Sequence, residues 1–241
     1  MKRPLFVLLL SSAVVLSSCE TLNQTAQVLS QSLGNPTSAE IASGLKEALE
    51  LGTSASAERL NTQNGFLGNA AVKLLFPPEA QKVENALRSL GLNQLCDNVI
   101  TSLNRAAEDA VIEAKPIFIS AIKQMTISDA SSILLGNQSD AATQYFQRVT
   151  NNQLNAKFKP IIQSSLAKVG ATRNWADVVS RYNQIPLVTD INPDLTSYVT
   201  QKAIDGLFLE IAKEELKIRQ NVSSRNSILL QKVFGYADRQ K

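Results

Sequence analysis

Arg173-Asn-Trp175-Ala-Asp177, followed by Arg181 and Tyr182, is the most suggestive meeting of charge and aromatic surface in this sequence. On a helix Asp177 and Arg181 stand at i and i+4, and Trp175 is the single tryptophan. An aromatic face beside an arginine fork suits a glycan or a carboxylate-bearing peptide. Arg173, Trp175, Asp177 and Arg181 are therefore candidate ligand-binding residues. The plainer reading is an intrahelical salt bridge beside a tryptophan that fills the core. Acid–base chemistry has less to work with. The sequence contains no histidine, which removes the commonest general base, the Ser-His and Cys-His relays, and the usual nitrogen ligand of zinc. Glu108 with Asp109, Glu113, and Glu214 with Glu215 could act as carboxylate catalysts, yet helical carboxylates among Lys and Arg ordinarily form a solvated face. Glu210 with Lys213 or Glu214 reads as surface pairing. Calcium needs carboxylates gathered in a loop, and the sequence offers none. Cys96 shares an apolar stripe with Leu92 and Val99, where desolvation blunts a thiol. No catalytic residue, metal site or cofactor is predicted.

Cys19 is a different matter. Lys2 and Arg3 precede an apolar run from Leu5 to Leu16, interrupted only by Ser11 and Ser12. That run is short of the ~20 residues a membrane helix needs and has the layout of a secretory leader. It ends in Leu16-Ser17-Ser18-Cys19, which resembles the bacterial lipobox: an aliphatic residue, two small ones, then the thiol that accepts a diacylglycerol. One acyl chain binds a membrane reversibly, with K of about 10⁴ M⁻¹, whereas two hold durably. The expected organisation is a signal peptide over residues 1–18, a lipidated tether over 19–36 rich in Thr, Asn, Gln and Ser, and a helical domain over 37–241. By similarity to Gram-negative lipoproteins, Glu20 after the cysteine favours the periplasmic face of the outer membrane over the inner membrane. Lys2 and Arg3 leave with the leader, so the remaining basic residues nearly balance 21 acidic ones. The global electrostatic case for nucleic acid disappears with them. Lipidation of Cys19 also leaves Cys96, the other of two cysteines, without a disulfide partner.

The elements that must position these groups are helices. Aromatic residues make up 5% of the chain against 44% hydrophobic overall, so the core is built from Leu, Ile, Val and Ala. Thr37-Ser-Ala-Glu40 has capping-box spacing and opens a helix over 38–60 with Ile41, Leu45, Ala48, Gly52 and Ala55 on one stripe. Residues 61–78 are the least helical; Gly65, Gly68 and Asn69 make a turn rather than a phosphate loop, and a short extended segment is possible near 65–77. Pro78 starts a helix that Gly91 closes. Leu92, Cys96, Val99, Leu103, Ala106 and Ala110 then step by four and three, until Pro116 bends or breaks the run. Thr126-Ile-Ser-Asp129 opens a short helix ended by Gly136, and Ser139 or Asp140 caps the next. Separate helices follow at 153–169 and 172–184, with a linker over 188–193. Asp194 starts a long helix carrying Leu195, Tyr198, Val199, Ile204, Leu207, Phe208, Ile211 and Leu216 inward. Gly206 within it implies a close crossing or a ligand near the backbone, since glycine costs ~1 kcal/mol there. The last helix runs from Ser223 to Phe234, with Gly235 as its stop. Short connections favour a single compact all-α, multi-helix domain.

Gly65-Phe-Leu-Gly-Asn69 with Pro77-Pro-Glu79, Met125-Thr-Ile-Ser-Asp129-Ala, Ala141-Ala-Thr-Gln-Tyr-Phe146, and Tyr198-Val-Thr-Gln-Lys202-Ala-Ile-Asp205-Gly-Leu-Phe208 through Lys232-Val-Phe-Gly235 occur in that order. Together they resemble the uncharacterised bacterial domain-of-unknown-function 4197 family over roughly residues 38 to 236. The resemblance implies a secreted, mainly helical protein of Gram-negative bacteria and carries no activity or catalytic residue with it. The expectation is a non-enzymatic binding or scaffolding lipoprotein. It would meet the membrane through Cys19 and an envelope protein, glycan or lipid elsewhere. Two alternatives stay open: an enzyme of envelope polymers or lipids using carboxylate or Lys acid–base groups, and a carrier of apolar ligands.

Overall fold

Thr37 starts the first helix through the capping box its spacing predicts. Its hydroxyl accepts the Glu40 amide at 3.2 Å, and the Glu40 carboxylate accepts the Thr37 amide at 2.8 Å. The computed structural model describes residues 34–171, 175, 176, 179, 180, 183 and 194–240. Cys19, with the leader and most of the tether, lies outside these residues, as do Arg173, Asp177, Arg181 and the linker over 188–193. In α1 (Ser38–Asn61) Ile41, Leu45 and Ala48 are buried, but the stripe then rotates. Leu49, Ser56, Ala57 and Leu60 continue it, while Ala55 is exposed. The reason is that α1 meets different helices along its length.

Residues 62–72 are turns, and 73–77 pass without pairing to any strand. A 3-10 turn at Pro78–Ala80 leads into α2 (Gln81–Ser89). Gly91, at φ +82°, then reverses the chain into α3 (Asn93–Val111), a left-handed conformation that favours glycine. Cys96, Leu103, Ala106 and Ala110 are buried, but Leu92 stands in that turn and is exposed. The break near Pro116 falls just upstream of it. Ile112 and Glu113 separate α3 from α4 (Ala114–Gln124), leaving the proline in the first turn, where its missing N–H costs nothing.

Thr126 and Asp129 form the second capping box and open α5 (Ile127–Leu135). Next comes α6 (Ala141–Lys168), one helix where two were expected. Pro160 lies on its exposed face, and the fully buried Leu154, Phe158, Ile162 and Leu166 hold the helix against the core. Packing therefore overrides the ~3 kcal/mol that interior proline costs. Ala171, Trp175, Ala176, Val179, Ser180 and Asn183 are helical. Asp194 caps α7 (Leu195–Gln220) by accepting the Ser197 amide at 2.9 Å. Leu216, expected inward, is exposed. A 3-10 turn at Val222–Ser224 precedes α8 (Ile228–Arg239), capped by Ser227. This helix runs straight through the buried Gly235, so the expected stop there is wrong; Ala237 beyond it is also buried.

Lys159 of α6 bonds Ser197 at the start of α7, and Glu215 near its end bonds the start of α6, so the two helices run antiparallel. Phe118 of α4 fills the space between them, edge-on to Phe146 at 5.1 Å and to Phe208 at 6.1 Å. Among the described residues the fold is all-α. None of their helices is long and apolar enough to cross a membrane.

Candidate functional site

Three of the carboxylates expected at the surface are buried, while Asp109 is exposed and Glu113 and Glu214 are partly so. Glu108, Glu210 and Glu215 are each less than a tenth exposed. Glu108 accepts the amides of Phe66 at 3.1 Å and Leu67 at 3.3 Å while pairing with Arg105. Glu210 accepts from Asn69 at 3.2 Å and pairs with Lys213 at 2.6 Å and Arg59 at 3.2 Å. Burial acts to raise the Glu210 pKa, but Lys213, Asn69 and Arg59 outweigh it and hold the carboxyl below its ordinary range. These two residues pin the 62–72 turns to α3 and α7. Neither is surface pairing.

Glu215 corrects a second expectation. Asp140 makes no side-chain cap for α6. The cap comes from across the bundle, where the Glu215 carboxylate accepts the Ala142 amide at 3.0 Å and the Thr143 amide and hydroxyl at 2.9 Å. Arg219 donates to the same carboxylate at 2.9 Å and to the carbonyls of Ile133 at 2.9 Å and Leu134 at 3.3 Å. One buried ion pair thus closes the N-terminus of α6 and the C-terminus of α5 together. Both ends carry partial charge of the right sign for it. A cavity of about 20 Å³ beside this pair has room for about one water-sized probe.

The surface feature with recognition chemistry is a groove of about 360 Å³ between residues 71–78 and α7. Asn104, fully buried on α3, takes both backbone groups of Leu74: the Leu74 amide donates to it at 2.9 Å, and its own amide donates to the Leu74 carbonyl at 2.8 Å. The side chain stands where a neighbouring strand would. On the groove side the Tyr198 hydroxyl, kept protonated by burial that raises its pKa, donates to the Leu75 carbonyl at 3.0 Å. The Lys73 carbonyl and the Leu75 amide have no hydrogen-bond partner among the described residues. Leu75 and Leu209 line the groove half-exposed, with Lys202 and Asp205 at its rim 3.8 Å apart.

Gly206 forms the groove floor. A Cβ there would stand 2.9 Å from Phe66 Cε1 and 3.2 Å from Val72 Cβ. The close approach expected at this glycine is therefore to the 62–72 turns, not to another helix. Gly65, Gly68 and Asn69 lie in those turns, as expected.

Of the candidate ligand-binding residues only Trp175 is described. It is 4% exposed and sits edge-on to Phe76 at 5.9 Å, in the core-filling position of the plainer reading. Its indole N–H has no partner among the described residues. Cys96 is fully buried, and burial pushes its thiol pKa up. Among the described residues no three metal-binding side chains come together.

Asn104 and Arg219, and the capping role of Glu215, were missed. Each residue falls on an apolar stripe at steps of four: Cys96, Ile100, Asn104 and Glu108 on α3, and Ile211, Glu215 and Arg219 on α7. A polar residue in register with the core was the available signal. No curated protein and no solved structure matches the chain. The model of the family described as a protein of unknown function (DUF4197) matches residues 35–235, which takes in every helix from α1 to most of α8 together with the pinned turns and the groove, and the chain belongs to that family.

Proposed function

We propose that this protein is a non-enzymatic binding module, held by lipid on Cys19 at the periplasmic face of the bacterial outer membrane, and that the groove beside residues 71–78 takes an extended peptide. One observation carries the binding reading: the open backbone edge of Lys73 and Leu75 above an apolar floor. An extended chain adds to such an edge through main-chain hydrogen bonds, with side-chain pockets supplying selectivity. Asn104 holds the opposite edge rigid, so little ordering is left for binding to do. The anchor rests on the lipobox-like Leu16-Ser17-Ser18-Cys19 after its apolar run.

The rival enzyme would use a carboxyl raised by burial as its acid. Among the described residues the carboxyls with a clear shift, Glu40, Asp129, Asp194 and Glu210, all shift downward. A peptide library presented to the purified full chain tests the groove. Leu75→Pro, which removes the donor N–H, should abolish binding that Leu75→Ala keeps. Retention by Leu75→Pro, or no peptide bound at all, refutes it. Cys19→Ser should move the protein out of the membrane fraction; unchanged fractionation refutes the anchor.

A further inference from the structure

Three leucines crown the turn between α2 and α3. Leu90 is 76% exposed, Leu92 44% and Leu95 42%. They project from a helical hairpin: α2 packs on α3 and the preceding 3-10 turn, and Val83 is its one buried residue. Residues 89–95 are all exposed, and a Cβ built on Gly91 would meet nothing within 4 Å. Ser89-Leu-Gly-Leu-Asn-Gln-Leu95 contains no charged residue. The nearest cation, Arg88, is neutralised within the hairpin by Glu84 and Asp97, each at 2.9 Å.

We infer that this tip inserts into a phospholipid bilayer and forms a membrane contact separate from the lipid on Cys19. The charge distribution selects the occupant. Isolated surface leucines are ordinary, but three within six positions on a convex tip, ringed by Ser89, Asn93 and Gln94, match an apolar layer lying under polar headgroups. Residues 89–95 carry no charge to dehydrate as the tip enters; Arg88, Glu84 and Asp97 pair with one another behind it and keep a net charge of −1 outside the inserted segment. A second copy of the chain is disfavoured by area. Three partly exposed leucines offer far less than the ~800 Å² per partner of a stable interface. A bilayer needs no such area when another anchor supplies residence. The chain from Cys19 to Thr37 reaches at most ~60 Å, longer than the ~36 Å of α1, so lipid and tip can engage one membrane.

The test places Leu90→Trp in the full chain on phosphatidylcholine vesicles carrying brominated acyl chains. Leu209→Trp on α7 serves as reference, and the emission of buried Trp175 is subtracted with the unsubstituted protein. Leu90→Trp should be quenched several-fold more than Leu209→Trp, equally with and without phosphatidylglycerol and at low and high salt. Equal quenching at the two positions overturns the inference. So does a blue shift of Leu90→Trp that grows with protein concentration before vesicles are added, which is the signature of a second copy. In protein lacking the lipid on Cys19, Leu90→Ser with Leu92→Ser and Leu95→Ser should lower vesicle binding, while Leu51→Ser with Ile228→Ser leaves it unchanged. The two membrane contacts separate cleanly. Loss of the anchor weakens binding yet leaves Leu90→Trp quenched at saturating lipid; adding Leu92→Ser and Leu95→Ser to Leu90→Trp in the anchored protein leaves it bound and far less quenched.

Discussion

Removing the carboxylate of Glu215 should destabilise this protein more than removing almost any exposed group, because three separate structures depend on it. Glu215→Ala leaves the Arg219 guanidinium, whose side chain is 6% exposed, as a buried charge without its partner. It also strips the Ala142 and Thr143 amides of their acceptor at the start of α6. Breaking a buried ion pair from one side costs about 3–5 kcal/mol, and the orphaned amides are taken within that figure rather than added to it, since both losses share one carboxylate. With an m-value near ~2 kcal/mol/M in urea, that cost lowers the unfolding midpoint by about 1.5–2.5 M. Glu215→Gln keeps an acceptor of the same shape and should lose about half as much. Replacing both partners, Glu215→Leu with Arg219→Met, removes the charge together with its counter-charge and should cost less than the two single changes summed. Circular dichroism at helical wavelengths through a urea titration reads the parent, these variants and the two single changes of the double variant. A Glu215→Ala midpoint within ~0.5 M of the parent, or an additive double variant, would refute the assignment of this pair as the joint cap of α5 and α6.

Glycine substitutions should diverge by position. Gly206→Ala drives a Cβ to 2.9 Å from Phe66 and should destabilise by about 1–2 kcal/mol, overpacking outweighing the helix-propensity gain. Gly52→Ala meets only an ordinary contact, Glu214 Cβ at 3.6 Å, and should stabilise by up to ~1 kcal/mol; thermal melts that rank them the other way would contradict the packing. Acid should be tolerated well. Glu40 is pulled down to about 2 by Lys232 and the Thr37 amide, and Asp129 and Asp194 are lowered by Thr126 and Ser197. Their folded pKa values lie below the unfolded ones, so their contribution is full above about pH 4.5 and fades as pH falls toward 2. The melting temperature should thus be level from pH 7 to 5 and fall steeply only below about 4, less steeply in Glu40→Gln. Cys96, buried with a raised thiol pKa, should resist alkylation in the native state and react at once in denaturant; rapid native labelling would place it elsewhere.

How far the sequence disclosed this arrangement depends on the range of the interaction. Caps formed within four residues were legible: Thr37 with Glu40, Thr126 with Asp129, and Asp194 with Ser197 each close on themselves. The cap of α6 was not, because the carboxylate that accepts its first amides lies across the bundle on α7. Proline and glycine misled where burial outweighed local preference. Pro160 sits on the exposed face of a helix whose other face is fully buried, and Gly235 is packed inside α8. Heptad-like spacing placed Leu92 and Leu216 inward, yet the first lies in a turn, and on α7 the inward place beside the second belongs to Glu215. Of the groove, Tyr198, Lys202, Asp205 and Gly206 were visible as a motif. The edge they face was not, since it exists only once Asn104 seizes Leu74.

Buried polar groups in this protein are spent on backbone, and that allocation bears on what the protein can do. Glu108 holds the Phe66 and Leu67 amides, Asn104 holds Leu74, Glu215 holds Ala142 and Thr143, and Arg219 holds Ile133 and Leu134. These bonds have a positive consequence. They fix an irregular stretch, residues 62–77, onto a helical bundle with the precision usually reserved for a strand in a sheet. Irregular backbone fixed in that way presents donors and acceptors to solvent that a helix keeps for itself. In an all-α domain, that is the place where another chain can find main-chain partners, and it is where the groove lies.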